Sequence, residues 1–140
     1  MRVLGLDVGE RRIGVALSDS LGLTAQRLAV LARRRIAEDL EAICALIAKH
    51  QVESVVIGLP LMMRGGRGPQ AQRVASFAEA LRRCVAVPIH LVDERLTTVQ
   101  GERALLETGA SRRKRKEVID QVAAQLILQQ FLDGQRTTER

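Results

Sequence analysis

The 140-residue chain has room for one domain with one core, and 46% hydrophobic with 27% charged residues is the balance of a folded protein, not a disordered one. A net charge of +6 favours a polyanionic partner, while the only aromatics are Phe77 and Phe131, which excludes the base-stacking platforms of single-strand binders. No apolar stretch approaches the ~18 residues of a membrane span, and no signal-peptide layout precedes the first strand, so the chain is expected in the cytosol, the cytoplasmic compartment.

In chain order, "RVLGLDV" reads as a buried strand that ends on Asp7, and "RRIGVALSD" as a second strand joined to it through a turn containing Gly9. A third strand is predicted at "RLAVLA", after the turn-prone "DSLGLT". In "IAEDLEAICALIAKH", Leu40, Ile43, Cys44 and Ile47 fall at i, i+3, i+4 and i+7, the stripe of an amphipathic helix. "VESVVIGLP" is a fully apolar run stopped by Pro60, the pattern of a parallel strand buried on both faces. The glycine-rich "MMRGGRG" is a loop, and Pro69 opens a helix with Val74, Phe77, Ala78 and Leu81 on one side. "VPIHLVDE" is the last predicted strand. "TTVQGERALLETG" follows as a helix, with Thr97 and Gln100 spaced as a capping box and Gly109 as its stop. A final helix runs from the basic stretch after Ser111 to about Asp133. Residues 1–134 form a single domain on this reading, with 135–140 as a disordered tail. Three antiparallel-type strands followed by alternating helix and strand make an α/β fold, a mixed sheet with helices on its faces. Cys44 and Cys84 are expected as small core residues, and His50 and His90 as structural ones.

The acids are the chemical signal. Asp7 ends a core strand, where an unpaired charge is costly. Asp93 and Glu94 close another, and ligand sites of open α/β sheets lie at the carboxyl ends of parallel strands. Strand alternation sends Asp93 and Glu94 to opposite faces, so one of them joins Asp7, and their spacing leaves both open. In the final helix, Asp120 falls on the apolar side with Ala123, Ala124, Ile127 and Phe131, while Gln121, Gln125 and Gln129 occupy another side. Three acids in these positions predict a shared divalent-cation site. Hard oxygen donors without Cys or His suit Mg²⁺ or Mn²⁺ rather than Zn²⁺. Two-metal sites of this kind, with ions ~3.5–4 Å apart, clamp the attacking and leaving oxygens of a phosphodiester.

The cations are clustered too. Arg112, Arg113, Lys114, Arg115 and Lys116 stand at the start of the last helix, where the helix dipole disfavours positive charge. A phosphate backbone would reverse that balance. Arg64 and Arg67 add cations in the glycine-rich loop, beside backbone N–H groups able to meet phosphates.

Taken together, "LGLDVGERRIGVALSD", "VVIGLPL", "GPQAQRVASFAEAL", "VDERLTTVQGERALLETG" and "RKRKEVIDQVAAQLILQQFLD" resemble the YqgF family over nearly the whole chain. These are bacterial RNase H-like proteins described as Holliday junction resolvases and as pre-16S rRNA nucleases. The resemblance implies a five-stranded RNase H-like sheet in the order 3-2-1-4-5 with helices on both faces. It implies an acidic triad of Asp7, Glu94 and Asp120 that binds Mg²⁺ or Mn²⁺, with Gly5 and Gly9 keeping the backbone around Asp7 compact and turnable. It also implies a metal-dependent endonuclease acting on structured RNA, the 5′ region of precursor 16S rRNA, with the small ribosomal subunit as a partner. Two alternatives share the fold: a Holliday junction resolvase acting on branched DNA, and a non-catalytic RNA-binding assembly factor. A sugar-kinase or actin-type ATPase needs two such domains, more than this length allows. One stretch departs from the family, because Met62, Met63, Arg64 and Gly65 replace the usual polar Asn-Met-Asp/Asn-Gly after "GLPL".

Overall fold

A computed structural model describes the backbone of residues 1–62, 65–94 and 112–138, with side chains at those positions except 112–121 and 136–138. Its five strands are β1 (Val3–Val8), β2 (Arg12–Ser18), β3 (Ala25–Ala32), β4 (Ser54–Leu59) and β5 (Ile89–Asp93). They form one sheet in the order β3-β2-β1-β4-β5. β1–β2 and β2–β3 pair antiparallel, while β1–β4 and β4–β5 pair parallel, the mixed sheet and strand order expected for an RNase H-like fold.

The helices explain why β4 reads as a fully apolar run and β1 as one broken only by Asp7. α1 (Ile36–His50) and α2 (Pro69–Cys84) cover one face of the sheet, and α3 (Arg112–Thr138) crosses the other, so every residue of the two central strands is buried. α1 stops where Gln51 turns left-handed at φ 53°, sending the Val52 N–H back to the Ile47 carbonyl. α2 starts at Pro69, whose missing N–H would have gone unused in the first turn.

Each face has its own core. Leu4, Leu6, Ile13 and Ile57 point toward α1 and α2, against Ile43, Phe77 and Leu81. Val3, Ala16 and Val56 point toward α3, against Ala123, Ala124, Ile127 and Leu128. Gly5 lies on that second face, where an added Cβ would stand 2.7 Å from Leu128 Cβ and 3.1 Å from the Ala124 carbonyl oxygen. Small residues on both partners let helix and sheet approach closely.

Several expectations shift in detail. β3 begins at Ala25, earlier than "RLAVLA", because Ser18 pairs with Ala25 and Gln129 accepts from its N–H at 2.9 Å. β5 is trimmed to Ile89–Asp93, leaving Glu94 just beyond the strand. α3 continues past Asp133 to Thr138, into the segment read as a loose tail. A single Gly134 weakens a helix by ~1 kcal/mol without breaking its hydrogen-bond ladder. Cys84 is exposed, unlike the expected core residue, whereas Cys44 is half-buried against the α1/α2 core. The helix predicted at "TTVQGERALLETG" lies outside the described residues. Among the described residues, no helix is long and apolar enough to cross a membrane.

Candidate active site

Strand alternation fixes where the acids go. On β1, Val3 and Gly5 face α3, so Asp7 does too, and it is only 6% exposed. Its antiparallel partner on β2 is Gly14. The parallel β1–β4 register, Gly5 beside Val56 and Leu6 beside Ile57, sets Asp7 beside Gly58 when continued by one residue. The carboxylate is thus flanked by glycine on both sides.

β5 sends the two candidate acids to opposite faces. Ile89 and Leu91 belong to the α1/α2 core and Val92 packs with the α3 core, so alternation sends Asp93 toward α1 and α2. Glu94 goes the other way. It is 1% exposed, and its Oε1 lies 2.7 Å from where a Cβ on Gly58 would stand, alongside Ile127 Cδ1 at 2.5 Å from the same point. Glu94 therefore reaches across β4 on the α3 face, toward the strand that carries Asp7. Neighbouring strands are only ~4.8 Å apart, so Asp7 and Glu94 converge over Gly58 at the carboxyl ends of β1 and β5. Both carboxylates have interaction partners.

Asp120 lies in α3 one turn before Ala124, the residue whose carbonyl oxygen sits over Gly5; its side chain is outside the described residues. Among the described residues no three His, Cys, Asp or Glu side chains gather as a metal-ligand group. Asp7 and Glu94 are two hard oxygen donors, buried together without sulfur or imidazole between them, and such a pair fits Mg²⁺ or Mn²⁺. Of the predicted cations, Arg67 is exposed in the loop before α2. Arg112, Arg113, Lys114, Arg115 and Lys116 open α3 with side chains outside the described residues, and Arg64 lies outside them altogether.

Three contributions were not visible in the sequence reading. Gly58 is the floor on which Glu94 rests, and its only sequence mark is a glycine inside an otherwise branched-aliphatic strand. Asp39, which the sequence reading did not single out, is 5% exposed. It accepts from Arg33 Nε at 2.9 Å and from the Arg34 N–H at 2.9 Å. Arg33 also donates to the Gly9 carbonyl at 2.6 Å and stacks over Phe77, 5.5 Å from the ring centre, so it ties the turn after Asp7 to α1 and α2.

A cavity of about 610 Å³, lined in part by Gly9, Glu10, Arg33, Ile36, Arg73 and Phe77, opens on the α1/α2 side of the sheet. Asp7 and Glu94 face the opposite side, and the cavity is separate from them. Burial, with a smaller contribution from Cys84, pushes the Cys44 thiol above its ordinary value.

The family profile for RuvX, described as Holliday junction resolvase, matches residues 1–134. A protein of Moorella thermoacetica named "Putative pre-16S rRNA nuclease" is 55% identical over 133 residues, covering 95% of each chain. One of the same name from Halothermothrix orenii is 50% identical over 135 residues, 96% of each chain. Among solved structures, T. thermophilus RuvC in complex with a Holliday junction substrate superposes with a TM-score of 0.62 at 16% identity, covering 99% of this chain and 97% of that one. The fowlpox virus Holliday junction resolvase superposes with a TM-score of 0.56 at 9% identity, over 96% and 99% of the two chains. These two likenesses concern the fold.

Proposed function

Because the chain belongs to the RuvX family, the YqgF family of the sequence resemblance, we propose that it is a metal-dependent endonuclease of structured nucleic acid whose substrate is the 5′ region of precursor 16S rRNA. The observation that carries this reading is the convergence of buried Asp7 and Glu94 over Gly58. Burying two carboxylates together is costly unless a cation accompanies them, and substrate chemistry is the usual return on such a cost.

On this reading Asp7, Glu94 and Asp120 hold Mg²⁺ or Mn²⁺. Bound there, the ions would lower the pKa of an attacking water and neutralise charge building on the phosphodiester. Asp7 sits on a strand buried along its whole length, so its carboxylate is held in place by the packing beneath it. Glycine at 58 lets Glu94 and Ile127 close down on β4, and glycine at 14 stands opposite Asp7 on β2. Asp120 is supplied from α3, whose close approach at Gly5 supports bringing position 120 toward Asp7's end of β1. Arg64 and Arg67 in the loop, and Arg112 through Lys116 at the start of α3, engage the phosphate backbone. Such contacts read charge and shape more than sequence, as suits a processed RNA bound on a small-subunit precursor in the cytoplasm.

The names of relatives near half identity support RNA as the substrate. The family description and the RuvC-like fold favour a second reading, resolution of four-way DNA junctions. Incubating the purified protein with an end-labelled precursor 16S fragment and with a four-way junction, each with Mg²⁺, Mn²⁺ or EDTA, separates the two. Cleavage of the RNA fragment with metal, absent in EDTA and in Asp7→Asn, is the expected result. Cutting of the junction alone establishes the second reading. Equal product from wild type and Asp7→Asn overturns the enzyme reading.

A further inference from the structure

The sheet's topology assembles a second set of cations that is scattered in sequence. β1 turns into β2 through Gly9–Arg12, and β3 leaves toward α1 through Arg33–Arg35. Antiparallel pairing sets Arg12 opposite Ala32, and the Arg33 N–H donates to the Arg11 carbonyl at 2.8 Å. Arg11, Arg12, Arg33, Arg34 and Arg35 thereby share one edge of the molecule. That edge begins at Gly9, two residues beyond Asp7.

Two of the arginines on this side are engaged within the fold. Arg33 grips Asp39 and the Gly9 carbonyl, and Arg73 of α2 pairs with Glu10 at 2.6 Å, neutralising the acid of the turn. Arg12 also has a partner. Arg11, Arg34 and Arg35 are exposed, and among the described residues their guanidinium groups carry no ion pair. Arg34 and Arg35 stand at the N-terminus of the 15-residue α1, with Arg35 as its cap residue making no side-chain capping bond. The helix dipole opposes cations there, and the three guanidiniums repel one another. Glu38 and Asp39 in the first turn of α1 offset part of that cost, but among the described residues no ion pair holds these three guanidiniums. An approaching polyanion would offset the rest.

We propose that Arg11, Arg34 and Arg35 form a phosphate-backbone contact surface that carries the nucleic acid away from the acid site across the β1–β2 turn. This is a path separate from the basic run of α3, and it rests on the nuclease reading above. Arg33 acts as its positioning residue, holding the two segments in register through Gly9 and Asp39. The shared chemistry is the phosphodiester, so duplex RNA and duplex DNA both meet it.

The test measures binding of 20-base-pair RNA and DNA duplexes by fluorescence anisotropy across a salt series, in full-length Asp7→Asn protein so that nothing is cut. Adding Arg11→Gln, Arg34→Gln and Arg35→Gln should weaken both duplexes by about tenfold or more and flatten the log–log salt slope by ~2–3, at ~0.9 per lost phosphate contact. A control removes the same charge elsewhere, through Arg27→Gln, Lys49→Gln and Arg83→Gln, all exposed. It should leave the slope within ~0.5 of the parent. Equal effects of the two triples, or no change in slope with the edge triple, overturns the surface while leaving the nuclease reading standing. A parent that binds neither duplex overturns both. Circular dichroism melts confirm folding. If the triple fails to fold, the Arg34→Gln single variant is read against a slope change of ~0.9, and its absence overturns the proposal.

Discussion

The two faces of the sheet are built on different rules. Toward α1 and α2 the strands present Leu4, Leu6, Ile13 and Ile57, large side chains that fill a thick aliphatic layer. Toward α3 the same strands present Val3, Gly5, Asp7 and Gly58, and the helix answers with Ala123 and Ala124. The first face contributes stability through buried area. The second gives up that area so that a helix and two carboxylates can come within a few ångströms of β1 and β4. On β4 the two rules meet in adjacent residues, Ile57 and Gly58.

That contrast predicts separable effects. Ile57→Ala opens a cavity in the thick layer and should cost about 2–5 kcal/mol in urea unfolding, with cleavage per folded molecule little changed. Asp7→Asn should do the reverse. Even residues outside the ligand set of a metal site cost ~10–100-fold, so loss of a ligand should exceed ~100-fold in cleavage, about 2.7 kcal/mol of barrier, with the fold retained. Gly58→Ala falls between them. Its new Cβ meets Glu94 Oε1 and Ile127 Cδ1, so stability should fall by ~1–3 kcal/mol and cleavage should fall with it. If Gly58→Ala cuts normally, Glu94 does not work from the position it occupies over β4.

The smallest effects lie at the far end of the sheet. Gln129 accepts from the Ala25 N–H and donates to the Leu23 carbonyl, so Gln129→Ala should cost about 1 kcal/mol without touching cleavage. Asp19 accepts from the Leu23 and Thr24 N–H groups, bonds that hold its carboxyl below its ordinary value, that of Leu23 foremost. A depressed carboxylate contributes stability above its unfolded pKa and loses it as pH falls through the folded one. The Tm gap between wild type and Asp19→Asn should therefore be steady near neutrality and narrow below about pH 4. A gap constant down to pH 2 would mean the turn does not depend on that charge.

The same contrast explains what the sequence made legible. Apolar runs marked β1 and β4 because helices cover both their faces, and Asp7 stood out as the charge that breaks such a run. Spacing alone left Asp93 and Glu94 open and only the family resemblance favoured Glu94; the phase of β5, with Leu91 and Val92 on opposite sides, puts Glu94 on the face of Asp7. Asp39 gave no signal in the sequence because its partner, Arg33, is a loop residue that also reaches back to Gly9. The arginine edge was hidden for a related reason. Residues 11 and 33 become neighbours only through the β2–β3 pairing, which no local pattern reports. Gln125 and Gln129 read as the polar side of α3, yet both are spent on the backbone of residues 23–25.

Those glutamines bear on what a second strand would meet at the edge of the sheet. β3 is an edge strand, and its outward N–H and C=O groups are a template on which a second chain could extend the sheet. At Ala25 both groups are already taken, the N–H by Gln129 and the carbonyl by Gln125. Farther along, Arg27 is exposed and a bulge opposite Val15 and Ala16 shifts the register. An incoming strand thus finds its first hydrogen bonds occupied and its next ones out of step. That occupied end of β3 disfavours extension of the sheet by a second strand at this edge.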